Sequence, residues 1–255
     1  MSMTDKVRDR LLGVASPLAL LLLWELSART GVVDTRFFPA PTSIVKQGVE
    51  LAASGELWGH LSASLQRLLW GSLLGGIPAL LLGIAMGLYR PIRAAIDPLI
   101  SATYPVPKSA ILPLILLIFG LGEASKIVMV ALGVFFPVLI NTITGVLQID
   151  KIYLDVGKNF RASRWQTFRT VALPGALPSI MAGIKLGIGM GLILIAIAEM
   201  VGAKNGIGFM IWDAWQILSV ESMYVGLIVI SILGFLLTLI LNEIEGWILP
   251  WKQER

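Results

Sequence analysis

Residues 61–88 read LSASLQRLLWGSLLGGIPALLLGIAMGL. The stretch carries one charge, Arg67, and at about 1.5 Å rise per residue it can cross the roughly 30 Å hydrocarbon layer of a bilayer. No water is present there to satisfy backbone N–H and C=O groups, so such a segment must close its hydrogen bonds internally, as an α-helix. Gly71, Gly75, Ala79, Gly83 and Gly87 recur at every fourth position, which keeps them on one helix face. Lipid tails are as apolar as leucine, so membrane helices associate through close backbone approach at small residues. A second ladder, Gly183, Gly187 and Gly191, repeats the pattern later in the chain. Both point to helices buried in a tightly packed bundle. Packing inside one subunit is the plain reading; a homodimer contact or pore lining is the alternative.

The rest of the chain has the same character. Its 255 residues are 56% hydrophobic and 14% charged, with a mean hydropathy of +0.83, whereas soluble domains carry roughly 25% charged residues. Apolar segments at about 11–28, 61–88, 96–119, 127–147, 180–200 and 223–249 predict an all-α, polytopic bundle of about six spans in a single domain, 1–255. Lys6, Arg8 and Arg10 precede the first segment as they would in a secretory signal. Trp24, Glu25 and Arg29 occupy the region where a small-x-small cleavage site is needed, so a retained span is expected. Cysteine is absent, which excludes disulfides and thiolate chemistry. The lone histidine, His60, cannot assemble a metal cluster by itself, and no metal site is expected.

The net charge of +4 invites a nucleic-acid reading, but the position of the charges argues for a membrane instead. With the N-terminus inside, the basic N-terminal residues, Arg90, Arg93, Lys151, Lys158, Arg161, Arg164, Arg169, Lys252 and Arg255 all face the cytoplasm. The outer side holds Arg29, Arg36, Lys46, Arg67, Lys126 and Lys204, diluted by acidic residues. The positive-inside bias predicts an inner-membrane protein with both termini cytoplasmic. On the outer side, Pro39-Ala40-Pro41-Thr42-Ser43 ends an extended piece and offers Thr42 as a helix cap. A short interfacial helix is predicted from there to Leu57, with Ile44, Val45, Val49 and Leu51 to Ala53 on one apolar face.

Polar groups inside spans are functional candidates. Pro105, Pro107 and Pro113 interrupt the third span, and Lys108 sits among them. Such breaks persist at membrane depth only where protein or a water-filled cavity covers the freed carbonyls. Lys108 either attracts an anionic substrate or snorkels to the cytoplasmic face. Lys185, one turn into the fifth span, is expected to snorkel. Glu199 closes that span near the outer face, as a gate or as a solvated interfacial carboxylate. Asn141 and Thr142 in the fourth span line a pore or bond across helices. Gly202 to Gly208 read as a turn-rich outer loop, followed by an interfacial stretch bearing Trp212 and Trp215.

The longest inner loop spans about 148–179 and is the most charged segment. Its core is Asp155-Val156-Gly157-Lys158-Asn159-Phe160-Arg161-Ala162-Ser163-Arg164. Tyr153 to Phe168 reads as one amphipathic helix with Leu154, Phe160, Trp165 and Phe168 as apolar contacts. Pro174 and Pro178 are expected to stop it before the next span.

This loop resembles that of permeases in binding-protein-dependent ABC importers. The family pattern runs Glu-Ala-Ala, three residues, Gly, nine residues, Ile-x-Leu-Pro. Here Asp155-Val156-Gly157 takes the first place, Arg161 the glycine place, and Val171-Ala172-Leu173-Pro174 the last. Asp155 for Glu, Gly157 for Ala and Arg161 for Gly are departures; Gly157 weakens a helix by up to ~1 kcal/mol relative to Ala. FFPAPTSI, DPLISATYPVPKSAILPLILLIFGLGEASKI and AEMVGAKNGIGFMI are similar to the nitrate, sulfonate, taurine and bicarbonate branch.

The resemblance implies a type I importer permease fold and a translocation path for a small anion. It implies a second copy of the permease, two cytoplasmic ATPase subunits carrying ATP and Mg, and a periplasmic or lipid-anchored substrate-binding protein. The 155–164 segment would then dock on the ATPase. This chain is expected to bind no cofactor and to have no catalytic residues. A phosphate-binding loop needs Gly, four residues, then Gly-Lys-Ser/Thr; the only Gly-Lys pair is Gly157-Lys158, with Ile152 and Asn159 at the other two places. The alternative, a secondary transporter, needs coupling carboxylates at mid-membrane, and most acids lie in loops or near span ends.

Overall fold

The computed structural model describes residues 3–251. Its secondary structure is helical throughout, with no strand among the described residues. In chain order the helices are α1 (Met3–Arg29), α2 (Pro41–Ala53), α3 (Glu56–Leu88), α4 (Arg90–Thr103), α5 (Leu112–Phe119) and α6 (Glu123–Leu147). They continue with α7 (Lys151–Asn159), α8 (Arg164–Thr167), α9 (Leu173–Gly202), α10 (Ile207–Gln216) and α11 (Val220–Ile248). Among the described residues, α3, α6, α11 and the run from Trp165 to Gly202 are long and apolar enough to cross a membrane. The segments Arg90–Thr103 and Lys108–Phe119 form a fifth, broken span bent by 84°.

The three central helices are held together by the two glycine ladders. α6 lies between α3 and α9 and takes a ladder on each side. Gly71 and Gly75 face Val130 and Ala131, while Gly83 and Gly87 face Thr142 and Val146. From the other side, Gly183 meets Asn141 and Pro137, and Gly187 and Gly191 meet Val134 and Val130. A Cβ at Gly75 would stand 2.2 Å from the Ala131 carbonyl oxygen, so only glycine admits this approach. Both ladders therefore serve packing within one subunit. Leu68, Ala79, Met86, Val134, Leu139 and Ile195 fill the core between them.

Several expectations are corrected. α2 begins at Pro41 with Ala40 as its N-cap, so Thr42 lies inside the first turn rather than capping it. Pro41 is pre-organised for a first helical position, and the cap is supplied from α1: Glu25 accepts the Thr42 N–H (3.0 Å) and hydroxyl (2.8 Å). Ile44 and Leu51 are buried whereas Val45 and Val49 are exposed, so these four do not share a face. A helix period of 3.6 sets positions 44 and 51 on one side and 45 and 49 on the other.

The inner loop differs most. The predicted helix from Tyr153 to Phe168 is split: α7 ends at Asn159, and a second helix starts at Arg164. Arg161 between them has a positive φ of 51°. Ser163 then accepts the Gln166 N–H at its hydroxyl (3.2 Å), and Gln166 accepts the Ser163 N–H (2.8 Å), a reciprocal capping box. Pro174 and Pro178 do not stop the helix, which runs unbroken from Trp165 to Gly202. A π-helical turn at Phe168–Ala172 precedes Pro174, and its wider i→i+5 pattern accommodates the ring and the missing N–H.

Candidate functional site

Two places in the bundle gather polar chemistry, and a third exposes apolar surface. The first is the break in the fifth span. Pro107 has no N–H to return to the Thr103 carbonyl at the end of α4. The Lys108 ammonium donates there instead (3.0 Å), and also to the carbonyls of Tyr104 (2.9 Å) and Val106 (2.9 Å). A cation at a helix C-terminus also complements the macrodipole. The ammonium lies 4.1 Å from the centroid of the Phe136 ring. This arrangement borders a cavity of about 440 Å³ against the middle of α6 and α9. Asn141 lines the same cavity, giving one amide N–H to the Pro137 carbonyl (2.8 Å). Two of the four path candidates thus meet in one place. Lys108 is bonded to backbone rather than extended to the cytoplasmic face.

Thr142 and Glu199 lie elsewhere. Thr142 is fully buried with its side chain against Gly83, in the α3–α6 seam. Glu199 is 1% exposed, so it is not a solvated interfacial carboxylate. It belongs to a network near the N-terminal ends of α3 and α6 and the C-terminal end of α9. Arg67, 2% exposed, donates from Nη1 to Glu199 (2.8 Å) and to the Asn205 carbonyl (2.8 Å). Its Nε and Nη2 reach Glu123 at 2.6 Å each, and Nη2 also donates to the Asn205 side chain. The Ser64 hydroxyl (2.9 Å) and Gly208 N–H (2.9 Å) complete the Glu199 shell. His60 and Ser64 accept the N–H groups of Gly206 (3.1 Å) and Ile207 (2.9 Å). Gly206 has φ +112°, and a Cβ there would fall 2.3 Å from the Glu199 carboxyl carbon.

Lys126, tallied with the outer charges, is also buried, donating to the carbonyls of Leu121 (2.6 Å), Gly122 (3.0 Å) and Gly202 (2.8 Å). Lys185 donates to Asn242 (2.5 Å) and pairs with Glu245 on α11. The sequence reading missed Arg67, Ser64 and Asn205 as a unit. A lone arginine within an apolar span was the available signal. Outside the spans, Arg36 bonds Asp34 through Nε (3.1 Å) and Nη2 (2.7 Å) and holds that carboxyl below the usual range. No group of three or more His, Cys, Asp or Glu capable of holding a metal occurs among the described residues.

The third place is the inner loop. Asp155 to Asn159 lie in α7, Phe160 to Ser163 in the break, and Arg164 opens α8. The loop exposes large apolar side chains: Phe160 is 83% and Trp165 66% exposed, joined by Ile152, Tyr153 and Val156. Trp165 rests on Phe168 at 5.4 Å between ring centroids.

Residues 79–252 match the family described as binding-protein-dependent transport system inner membrane component. The chain is 35% identical to the taurine transport system permease protein of Escherichia coli K12, over 97% of this chain and 92% of that one. It is 35% identical to the putative aliphatic sulfonates transport permease protein of Bacillus subtilis 168, over 94% of this chain and 87% of that one. Among solved structures it is similar to a chain of the inward-facing MetNI methionine ABC transporter. That match has a TM-score of 0.55 at 20% identity and covers 77% of this chain and 95% of the other; it supports the fold alone. By sequence and by fold, this chain belongs to the permeases of binding-protein-dependent ABC importers, the membrane-spanning components of those transport systems.

Proposed function

We propose that this chain forms the translocation path of an ATP-driven importer for small aliphatic sulfonates. The substrate class rests on the sulfonate and taurine permeases to which the chain is similar along almost its whole length. Two copies of the chain assemble with two cytoplasmic ATPases, which bind ATP and Mg, and with an external binding protein that delivers the cargo. Six spans, with α1 as the first, leave both termini in the cytoplasm.

The observation that carries this reading is the apolar surface of the inner loop. α7 packs chiefly against Phe168–Ala172 and leaves Ile152, Tyr153, Val156, Phe160 and Trp165 exposed beside basic residues. Exposed aromatic and aliphatic clusters rimmed by polar groups mark protein interaction sites. This one lies at the family's ATPase-docking loop, with Asp155 in its acidic position. Because α8, the π turn and α9 form one continuous helix from Trp165 to Gly202, a displacement of the docked loop passes directly into the bundle.

Co-purification tests the assembly: an ATPase subunit should accompany the tagged chain, and the loaded binding protein should stimulate ATP hydrolysis only in the complex. Asp155→Lys should leave membrane insertion intact and abolish that stimulation and uptake. A variant that still couples hydrolysis to uptake at the unsubstituted level removes the docking role.

A further inference from the structure

The cavity at the broken span lies against the middle of α6. Phe136 is roughly 20 Å along α6 from Glu123 and roughly 17 Å from Leu147 at about 1.5 Å per residue. Its lining is one-sided in charge. The polar side chains that border it are Lys108, Tyr104 and Asn141, and no carboxylate is among them. Three hydrogen bonds hold the Lys108 ammonium in place, on the carbonyls of Thr103, Tyr104 and Val106. It therefore presents a positioned charge at a depth where charge is expensive to bury. Asn141 spends one amide N–H on Pro137 and keeps the other. Leu132, Phe136, Ile140 and Met190 make the remaining wall apolar. At about 440 Å³ the space suits a small molecule.

We propose that this cavity is the mid-membrane subsite for the cargo, an amphiphilic anion with a permanently ionised head and a short aliphatic tail. Lys108 supplies a fixed positive potential, Tyr104 and Asn141 supply hydrogen-bond donors, and Phe136 and its neighbours take the alkyl chain. A sulfonate cannot discard its charge by protonation when it leaves water, so it gains most from a cation already in place. A cationic or zwitterionic cargo gains less. The assignment rests on the transport reading above and adds to it the residues that touch the cargo.

The test uses the complete complex, with its ATPases and binding protein, in proteoliposomes, and radiolabelled ethanesulfonate as the probe. Lys108→Gln removes the charge but leaves an amide that still donates to the freed carbonyls. Asn141→Asp keeps the shape and places an anion in the cavity. Each should lower ethanesulfonate uptake by about ten-fold or more, with hydrolysis stimulated by the binding protein retained; Lys108→Arg should stay within about three-fold of the unsubstituted complex. Uptake by both Lys108→Gln and Asn141→Asp within about two-fold of the unsubstituted complex overturns the site. Should Lys108→Gln fail to assemble, Asn141→Asp alone decides. Uptake by the unsubstituted complex tests the function itself, so failure of the function and failure of the site are read from different lanes.

Discussion

Arg161 has a φ of 51°, in the left-handed region that favours glycine. A side chain in the left-handed region crowds the following carbonyl at a cost of roughly 1–2 kcal/mol. The break is held by the capping box of Ser163 and Gln166, which starts the next helix regardless of what stands at 161. The motif spacing marks position 161 in the sequence, but the arginine there puts the turn in doubt and Tyr153 to Phe168 reads as one helix, because residue preference argues for continued helix. Arg161→Gly should be tolerated with coupled hydrolysis at or above the original level. Arg161→Val should lose coupling, since a β-branched residue is the least compatible with positive φ. Equal stimulated ATPase rates in the two variants would show that the loop does not need this conformation. The buried charges were less legible than the turn. Arg67 and Glu199 lie far apart in sequence on different helices, and nothing local pairs them. Only the general expense of an ion in an apolar span marks them out.

At the level of elements, the glycine ladders were readable because their cause is periodic. Spacing of four puts small residues on one face, and a face without side chains lets another backbone approach. The continuity of α8 into α9 was not readable in this way. Two prolines argue for a stop, yet Pro174 is accommodated by the π turn before it and Pro178 is carried inside α9. The broken span falls between these cases: its prolines foretold the interruption, but the 84° bend and the cavity depend on what packs around it. The ladder makes a sharp comparison between adjacent residues. A Cβ on Gly75 meets the Ala131 carbonyl at 2.2 Å, whereas one on Gly76 meets Val134 at an ordinary 3.6 Å. Gly75→Ala should thus cost about 1–3 kcal/mol or more through overpacking against backbone. Gly76→Ala should be neutral or slightly stabilising. Thermal denaturation of the two proteins in one detergent makes the comparison, and matching midpoints would mean that the α3–α6 seam is looser than described.

Across the whole molecule, the packed trio of α3, α6 and α9 connects two ends of different chemistry. At the end where α6 finishes and α9 begins, the trio continues into an exposed apolar loop. At the opposite end, Arg67 joins α3 to Glu123 at the start of α6, to Glu199 near the end of α9 and to Asn205 in the loop beyond. Close packing along the seams leaves the trio little freedom to shear, so force applied at the loop reaches the Arg67 network as motion of a body. That network is a specific fastening and not a source of net stability, because desolvating a buried pair offsets most of its Coulomb gain. Breaking one partner is another matter. Arg67→Met leaves Glu199 buried without its counter-ion and should destabilise the protein by about 3–5 kcal/mol. Adding Glu199→Met removes the stranded charge and should recover much of the thermal stability. Transport should not recover, because α9 is then no longer tied through Glu199 to Arg67 and Ser64 of α3 and to Gly208. A double variant that regains both stability and uptake would show that the fastening has no part in moving cargo.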